Sequence, residues 1–139
     1  MRELTIEANI ENLNTVLDFV NEDLERHNCE PDLQREIDIA VEEVFVNIAS
    51  YAYQPAKGNV TIFISTGKEV VVRFEDMGIP YNPLEQICPD LCKPITEREI
   101  GGLGVYFVKQ MMDKVEYKHV DNKNILIVAK EIKKNKYQE

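Results

Sequence analysis

The chain has 139 residues, and its content of 44% apolar and 29% charged residues is typical of a globular domain. Its 25 acidic and 16 basic side chains give a formal charge of −9, which excludes broad, sequence-blind binding to nucleic acid and disfavours an anionic membrane surface. A nucleotide is still allowed, because its phosphates need only a few local donors and a metal. We predict one domain over residues 1–139, with a polar tail from about residue 133.

Hydrophobic periodicity predicts five strands and three helices in the order β-α-α-β-β-loop-α-β-β. The predicted strands are 4–8, 59–65, 69–74, 115–120 and 125–132. The predicted helices run from about 10 to 27, from about 31 to 53, and from the Gly-rich segment 101–104 to about 114. Because the helices cluster and the strands pair antiparallel, we predict an α+β fold with helices on one face of a mixed sheet.

The sequence also indicates where the protein resides. No apolar run approaches the roughly 20 residues that span a bilayer, and the N-terminus has no apolar signal segment. Three cysteines do not form a disulfide framework, which suits a reducing cytosol. Cys88 and Cys92 would touch on a helix, but no His lies near them in sequence, so ordinary half-buried thiols are favoured over a metal site. These features predict a cytoplasmic protein.

One long segment interrupts the regular pattern. Residues 76–94 contain one glycine and four prolines and have little periodicity. A loop of this length in a compact domain is usually functional or disordered. We therefore predict a long loop here, and we expect about residues 83–99 to act as a lid.

The second helix has an unusual polar edge. At about 100° per residue, Glu36, Glu43 and Asn47 fall on one line beside the apolar stripe. Glu43 can accept a proton or orient a water, and the Asn47 amide oxygen suits Mg²⁺ beside substrate phosphates. The alternative is a solvated acidic helix face, since Glu42 and Glu43 are adjacent.

Two further segments suit a nucleotide. Asp76, at the end of a β-branched strand, can accept from an exocyclic amine such as that of adenine, and Gly78 lets the backbone approach a ring. Residues 101–104 place three glycines before a helix, whose free N–H groups and dipole favour an anion. The alternatives are an ordinary Asp-x-Gly turn and a Gly-rich hinge, and neither segment is a P-loop.

Taken in order, these segments resemble the N box, G1 box and G2 box of the GHKL ATPase superfamily. The resemblance covers about residues 4–132. Segments 76–84 and 101–109 are similar to those of the anti-sigma-factor serine/threonine kinases of bacterial partner switching. The resemblance implies a two-layer α/β sandwich of the Bergerat type, with helices on one face of a mixed, mostly antiparallel sheet.

The resemblance also implies roles for individual residues. Glu43 matches the catalytic glutamate, and Asn47 matches the magnesium-binding asparagine. Asp76 matches the aspartate that recognises the adenine amine, and Gly78 is the glycine beside it.

The remaining roles concern the phosphates. Gly102, Leu103 and Gly104 match the phosphate-side turn, and Arg98 lies in the lid just before it, within reach of a phosphate. Many relatives carry a Thr on the last strand pair that assists adenine binding. Segment 124–128 offers no hydroxyl, which implies weaker or rearranged adenine binding.

The function implied is that of a cytoplasmic protein serine/threonine kinase using ATP and Mg²⁺. Such kinases phosphorylate an anti-anti-sigma partner of the STAS fold, then hold a sigma factor, and commonly form homodimers, without direct contact to nucleic acid or membrane. The alternative is a nucleotide-gated protein-binding regulator without useful kinase activity. A detached ATPase domain of a histidine kinase is disfavoured, because no segment indicates a partner domain with a phosphoacceptor His.

Overall fold

Five strands and three helices make up the residues described by the computed structural model, which are 1–53, 57–80 and 102–132, with the backbone alone for 102–106. The strands are β1 (Arg2–Glu7), β2 (Asn59–Thr66), β3 (Glu69–Asp76), β4 (Lys114–Val120) and β5 (Lys123–Glu131). The helices are α1 (Leu13–Arg26), α2 (Pro31–Tyr51) and α3 (Gly102–Met111). Their order is the predicted one.

The strands form one open sheet in the order β1–β2–β3–β5–β4. All four pairings in the described part of the chain are antiparallel, so the sheet expected to be mixed contains no parallel pair there. The reason is the final hairpin: β5 folds back from β4 at the sheet edge and enters between β4 and β3. The α+β class itself is confirmed.

The core lies between one face of the sheet and the helices. Alternate residues of each central strand point to this face, which is why β2 and β3 show a period-two burial pattern. The apolar stripes of α1 and α2 cover it, and α3 packs beside α2. The largest fully buried side chains include Phe45, Phe74, Leu24, Ile37, Ile62 and Ile64.

The turn of the last hairpin is shorter than its sequence pattern indicates, so the second strand begins earlier. Asp121 and Asn122 have φ values of 53° and 62°, as a two-residue type I′ turn requires. Strand β5 therefore starts at Lys123, and Asn124, expected in the turn, is a strand residue paired with Asp76. The start of α1 also differs, because residues Ile10–Asn12 form a 3-10 turn before the helix.

A partly buried carboxylate on α2 leads to a stability prediction. The Asp38 Oδ1 atom is buried without a hydrogen-bond partner among the described residues. Burial raises the pKa of Asp38, a hydrogen bond from Asn21 lowers it, and Glu25 and Glu42 raise it further. Because the pKa is higher in the folded state than in the unfolded chain, stability falls as the pH rises through the folded-state pKa.

We therefore expect Asp38→Asn to increase the free energy of unfolding at pH 7, with the gain disappearing below about pH 4, where the wild-type carboxyl is already protonated. Urea unfolding at pH 7 and at pH 3.5 measures both values. The control is Asp18→Asn, on the exposed side of α1. A variant less stable than wild type at pH 7 would contradict the burial argument.

Candidate nucleotide-binding site

Asp76 ends β3 on the helix-covered face of the sheet and is only 6% exposed. Its Oδ1 atom accepts hydrogen bonds from the Gly78 backbone N–H at 2.9 Å and from Asn124 Nδ2 at 3.0 Å. Its Oδ2 atom accepts none from the described residues and is not sealed from solvent. The carboxylate thus has one oxygen fixed by the protein and one left to accept from a ligand, which fits an adenine amino group.

Asn124 is a site residue that sequence reasoning missed. It is 7% exposed, and its Nδ2 group also lies 3.3 Å from the Gly78 carbonyl oxygen and 3.0 Å from that of Ile79. Its Oδ1 atom accepts a hydrogen bond from the Tyr117 hydroxyl. The signal that would have found it is the antiparallel register of β5 against β3, which places Asn124 opposite Asp76.

Gly78 has a structural reason to be glycine, in addition to the approach to a ring that the sequence predicts. A Cβ atom at this position would lie 2.2 Å from the Ala52 carbonyl oxygen, a backbone atom that cannot give way. The Ile79 N–H also donates to that oxygen, at 2.8 Å. The close approach that requires glycine in the described structure is therefore to the end of α2.

Tyr53 makes a second link between α2 and the segment after β3. Its hydroxyl accepts from the Met77 backbone N–H at 2.7 Å and donates to the Asn59 carbonyl oxygen at 2.6 Å. Burial raises the pKa of Tyr53, the Met77 hydrogen bond lowers it, and the Asp76 charge raises it. The Asp76 carboxylate is thereby held at a fixed position relative to the C-terminal end of α2.

This contact predicts the effect of a small substitution. Gly78→Ala is expected to displace the segment after Asp76, lowering the free energy of unfolding by about 1–3 kcal/mol and weakening nucleotide binding. The matched control is Gly67→Ala in the β2–β3 turn, where an added Cβ meets nothing within 4 Å. Chemical denaturation and calorimetric nucleotide titration give both readouts. Equal behaviour of the two variants would show that the Ala52 contact does not constrain the loop.

Glu43 and Asn47 lie together on α2, as predicted. Both side chains are partly buried, and neither makes a hydrogen bond or ion pair with another described residue. Burial raises the pKa of the Glu43 carboxyl, and neighbouring Glu42 raises it further. An unpaired, partly desolvated carboxylate can accept a proton, and the amide oxygen four residues later is a suitable hard ligand, so this pair fits Mg²⁺ and phosphate.

Glu36, the third residue of the predicted polar line, has a structural partner instead. Its Oε2 atom pairs with Lys130 Nζ at 2.8 Å, and the same ammonium donates to the Met111 carbonyl oxygen at the end of α3. Lys130 therefore joins the N-terminal half of α2 to the C-terminal end of α3. This ion pair lies toward the sheet end opposite Asp76, because Lys130 pairs with Val70 and Asn124 pairs with Asp76.

The Gly-rich segment lies differently from its prediction. Gly102, Leu103 and Gly104 form the first turn of α3 and do not precede it. Their backbone N–H groups are among those that lack intrahelical partners, so the expected anion-binding chemistry is retained. Arg98 and the rest of the predicted lid lie outside the described residues, as do Cys88 and Cys92.

The described residues contain neither a cluster of metal-ligating side chains nor a membrane-spanning helix. No group of three or more His, Cys, Asp or Glu side chains there is arranged to hold a metal ion. No helix among the same residues is long and apolar enough to cross a membrane.

Helices covering one face of an antiparallel sheet, with a carboxylate–amide pair on one helix and a fixed aspartate at a strand end, define a nucleotide-binding domain of the ATPase class. The chain belongs to the histidine kinase-like ATPase domain family, whose model matches residues 6–130. The superfamily expected from the sequence motifs is therefore confirmed.

Curated relatives point to one branch of the family. The chain is 28% identical over 94 residues to "Serine-protein kinase RsbW" of Bacillus cereus, covering 64% of this chain and 59% of that protein. It is 26% identical over 101 residues to the protein of the same name from Bacillus mycoides, covering 69% and 63%. The matched segment thus spans less than two thirds of the length of these relatives.

Solved structures support the fold. The RsbU and RsbW domains of Rv1364c from Mycobacterium tuberculosis match with a TM-score of 0.65 at 14% identity, over 97% of this chain and 34% of that one. The catalytic domain of histidine kinase ThkA matches with a TM-score of 0.56 at 15% identity, over 95% and 97%. At these identities the likeness concerns the fold alone.

Proposed function

We propose that the chain is an ATP- and Mg²⁺-dependent serine/threonine protein kinase of a bacterial partner-switching system. The observation that carries the proposal is Glu43, a partly buried carboxylate without a partner in the described structure, with a raised pKa and one helical turn before Asn47. The names of the curated relatives agree with it.

The order of groups along α2 supports ATP as the substrate. At about 1.5 Å per residue, Asn47 lies about 6 Å beyond Glu43, and Ala52, which contacts the Asp76 segment, lies about 7.5 Å beyond Asn47. The adenine-reading group, the metal ligand and the catalytic base therefore follow one another along the helix. ATP presents its base, its phosphates and its reacting γ-phosphorus in the same order.

The path of α3 supports phosphate binding at its first turn. The helix ends near Glu36, because Lys130 bonds both Met111 and Glu36. Along α3, Gly102 lies about 13 Å before Met111. Along α2, Glu43 lies about 10 Å and Asn47 about 16 Å beyond Glu36. We infer that α3 runs antiparallel to α2, which it contacts, and this path brings the unpaired N–H groups to the level of the metal ligand and base. We assign phosphate contacts to Gly102, Leu103, Gly104 and Arg98.

In the proposed reaction, Glu43 accepts the proton of a serine hydroxyl on the partner as its oxygen bonds to the γ-phosphorus. The bond from that phosphorus to the bridging oxygen breaks, and ADP leaves. Asn47 would hold Mg²⁺, which when bound offsets the negative charge of the phosphates. Asp76 and Gly78 belong to base recognition and take no part in the transfer.

The partner is proposed to be a STAS-type anti-anti-sigma protein, with a sigma factor as the alternative occupant and a homodimer as the working form in the cytoplasm. A second candidate function, a nucleotide-gated binding regulator, rests on the Asp76 contacts, because they hold the base site together without Glu43.

The test is incubation of the chain with γ-labelled ATP, Mg²⁺ and each STAS protein from the same genome. Transfer of label to a serine of one of them is the expected result. Binding of ATP and a partner without label transfer would favour the regulator, and failure to bind ATP would overturn both functions.

A further inference from the structure

The side-chain nitrogen of Asn124 lies near more hydrogen-bond acceptors than it has hydrogens to donate. Its Nδ2 group has two hydrogens and lies near three acceptor oxygens: Asp76 Oδ1 at 3.0 Å, Gly78 O at 3.3 Å and Ile79 O at 3.0 Å. One nitrogen therefore joins the carboxylate to the backbone that follows it. The carboxylate and this segment are linked through a residue of another strand.

The orientation of this amide is fixed by its surroundings. Turning it over would place its oxygen against three acceptors, which is unfavourable for a group that is 7% exposed. In the observed orientation the amide oxygen accepts from the Tyr117 hydroxyl, which reaches diagonally from β4. Tyr117 and Asn124 therefore form a defined donor chain that ends on Asp76 Oδ1.

We infer that Asn124, oriented by Tyr117, is the positioning residue that directs Asp76 Oδ2 toward the base and so determines selectivity for a 6-amino over a 6-oxo purine. This inference deepens the proposed function and rests on the ATP site proposed there. Segment 124–128, which offers no hydroxyl, supplies a donor to Asp76 through the Asn124 amide.

The physical reason is that discrimination needs a carboxylate that cannot turn away. With Oδ1 fixed by Asn124 and the Gly78 N–H, Oδ2 accepts from a 6-amino group and repels a 6-carbonyl oxygen. Once the Asn124 donor is lost, Asp76 can rotate, so ATP loses a bond while a 6-oxo nucleotide is relieved of repulsion. A residue with only a structural role would change the affinities for both nucleotides together.

The experiment measures ATP and inosine triphosphate affinities by calorimetry with Mg²⁺ for wild type, Asn124→Asp, Asn124→Thr and Tyr117→Phe. The matched control is Asn122→Asp, the same chemical change at an exposed turn position two residues away. Asn124→Asp is expected to weaken ATP at least about tenfold while changing inosine triphosphate by less than about twofold. Asn124→Thr, which keeps one donor, should recover part of the selectivity for ATP over inosine triphosphate. Tyr117→Phe should reduce this selectivity about two- to tenfold.

The outcomes separate this inference from the kinase proposal. Wild-type selectivity in both Asn124→Asp and Tyr117→Phe, or equal losses for both nucleotides, would overturn the inference alone. Selective ATP binding that depends on Asn124, without transfer to any partner, would support the inference and overturn the kinase. If Asn124→Asp fails to fold, Tyr117→Phe still decides, because it removes one oxygen from a partly exposed side chain. Absence of ATP binding by wild type would overturn both.

Discussion

Replacing Glu43 with Gln is expected to leave ATP affinity near the wild-type value and to slow phosphoryl transfer by about 10²–10⁴-fold, the usual effect of losing a positioned base. The amide keeps the size of the carboxylate but cannot accept the serine proton. Nothing in the proposed base or metal contacts involves Glu43, so binding should persist. The measurement is partner phosphorylation at saturating ATP, with ATP affinity determined in parallel.

Two other variants make this result interpretable. Glu42→Gln removes the same charge from the adjacent, exposed position and should leave the rate unchanged. Asn47→Ala should lower ATP affinity and rate together, because the metal ligand serves both. Equal rates for wild type and Glu43→Gln would show that Glu43 is only part of a solvated acidic helix face and would favour the nucleotide-gated regulator.

The pH dependence of the reaction has a defined sign. The raised pKa of Glu43 means that its carboxylate takes up a proton at a higher pH than an ordinary glutamate. The rate should therefore fall as the pH drops through this pKa, because only the ionised form accepts a proton. The free energy of unfolding has the opposite pH dependence. Glu43→Gln should be slightly more stable than wild type at pH 7, with no gain below about pH 4. A variant less stable at pH 7 would contradict the desolvation of Glu43.

Replacing Asp76 with Asn is expected to reduce ATP affinity by about 1–3 kcal/mol, or about 5- to 150-fold. One oxygen can still accept from Asn124 and Gly78, but the amide then points a donor at the adenine amino group. Competition titrations with ATP and GTP should also show that wild type prefers ATP, since guanine has a carbonyl at that position. The variant should lose most of this preference.

Glu75→Gln is the control for this prediction. Glu75 is the preceding residue of β3, so it points to the opposite face of the sheet, where it pairs with Arg73 at 3.7 Å. Its replacement removes one negative charge close to the site without touching the Asp76 contacts. Equal binding of ATP and GTP by wild type would overturn the adenine assignment.

Much of the fold was predictable because the apolar patterns are strong and local. The alternating apolar residues of β2 and β3 and the apolar stripe of α2 predict the bounds of these elements to within two or three residues. Glu43 and Asn47 were predictable as a pair, because a spacing of four on a helix places side chains side by side whatever the tertiary context.

The remaining features depend on contacts between segments that are distant in sequence. Asn124 meets Asp76 only through the register of β5 against β3, two neighbouring strands of the sheet that are not consecutive in the chain. The need for glycine at position 78 comes from the Ala52 carbonyl, 26 residues earlier, which no local pattern indicates. On the helix alone Glu36 is equivalent to Glu43. Only the ion pair with Lys130, a residue of the last strand, distinguishes it.

The two-residue turn at Asp121 and Asn122 has a consequence for sequence variation among relatives. Adding one residue there would shift β4 against β5 by one position and move every β4 side chain to the other face of the sheet. Tyr117 would then point away from Asn124, although the β3–β5 pairing itself survived. In relatives that keep the Tyr117–Asn124 pair, insertions and deletions should therefore be absent from this turn. An alignment of relatives sorted by these two residues would reveal whether the turn keeps its length.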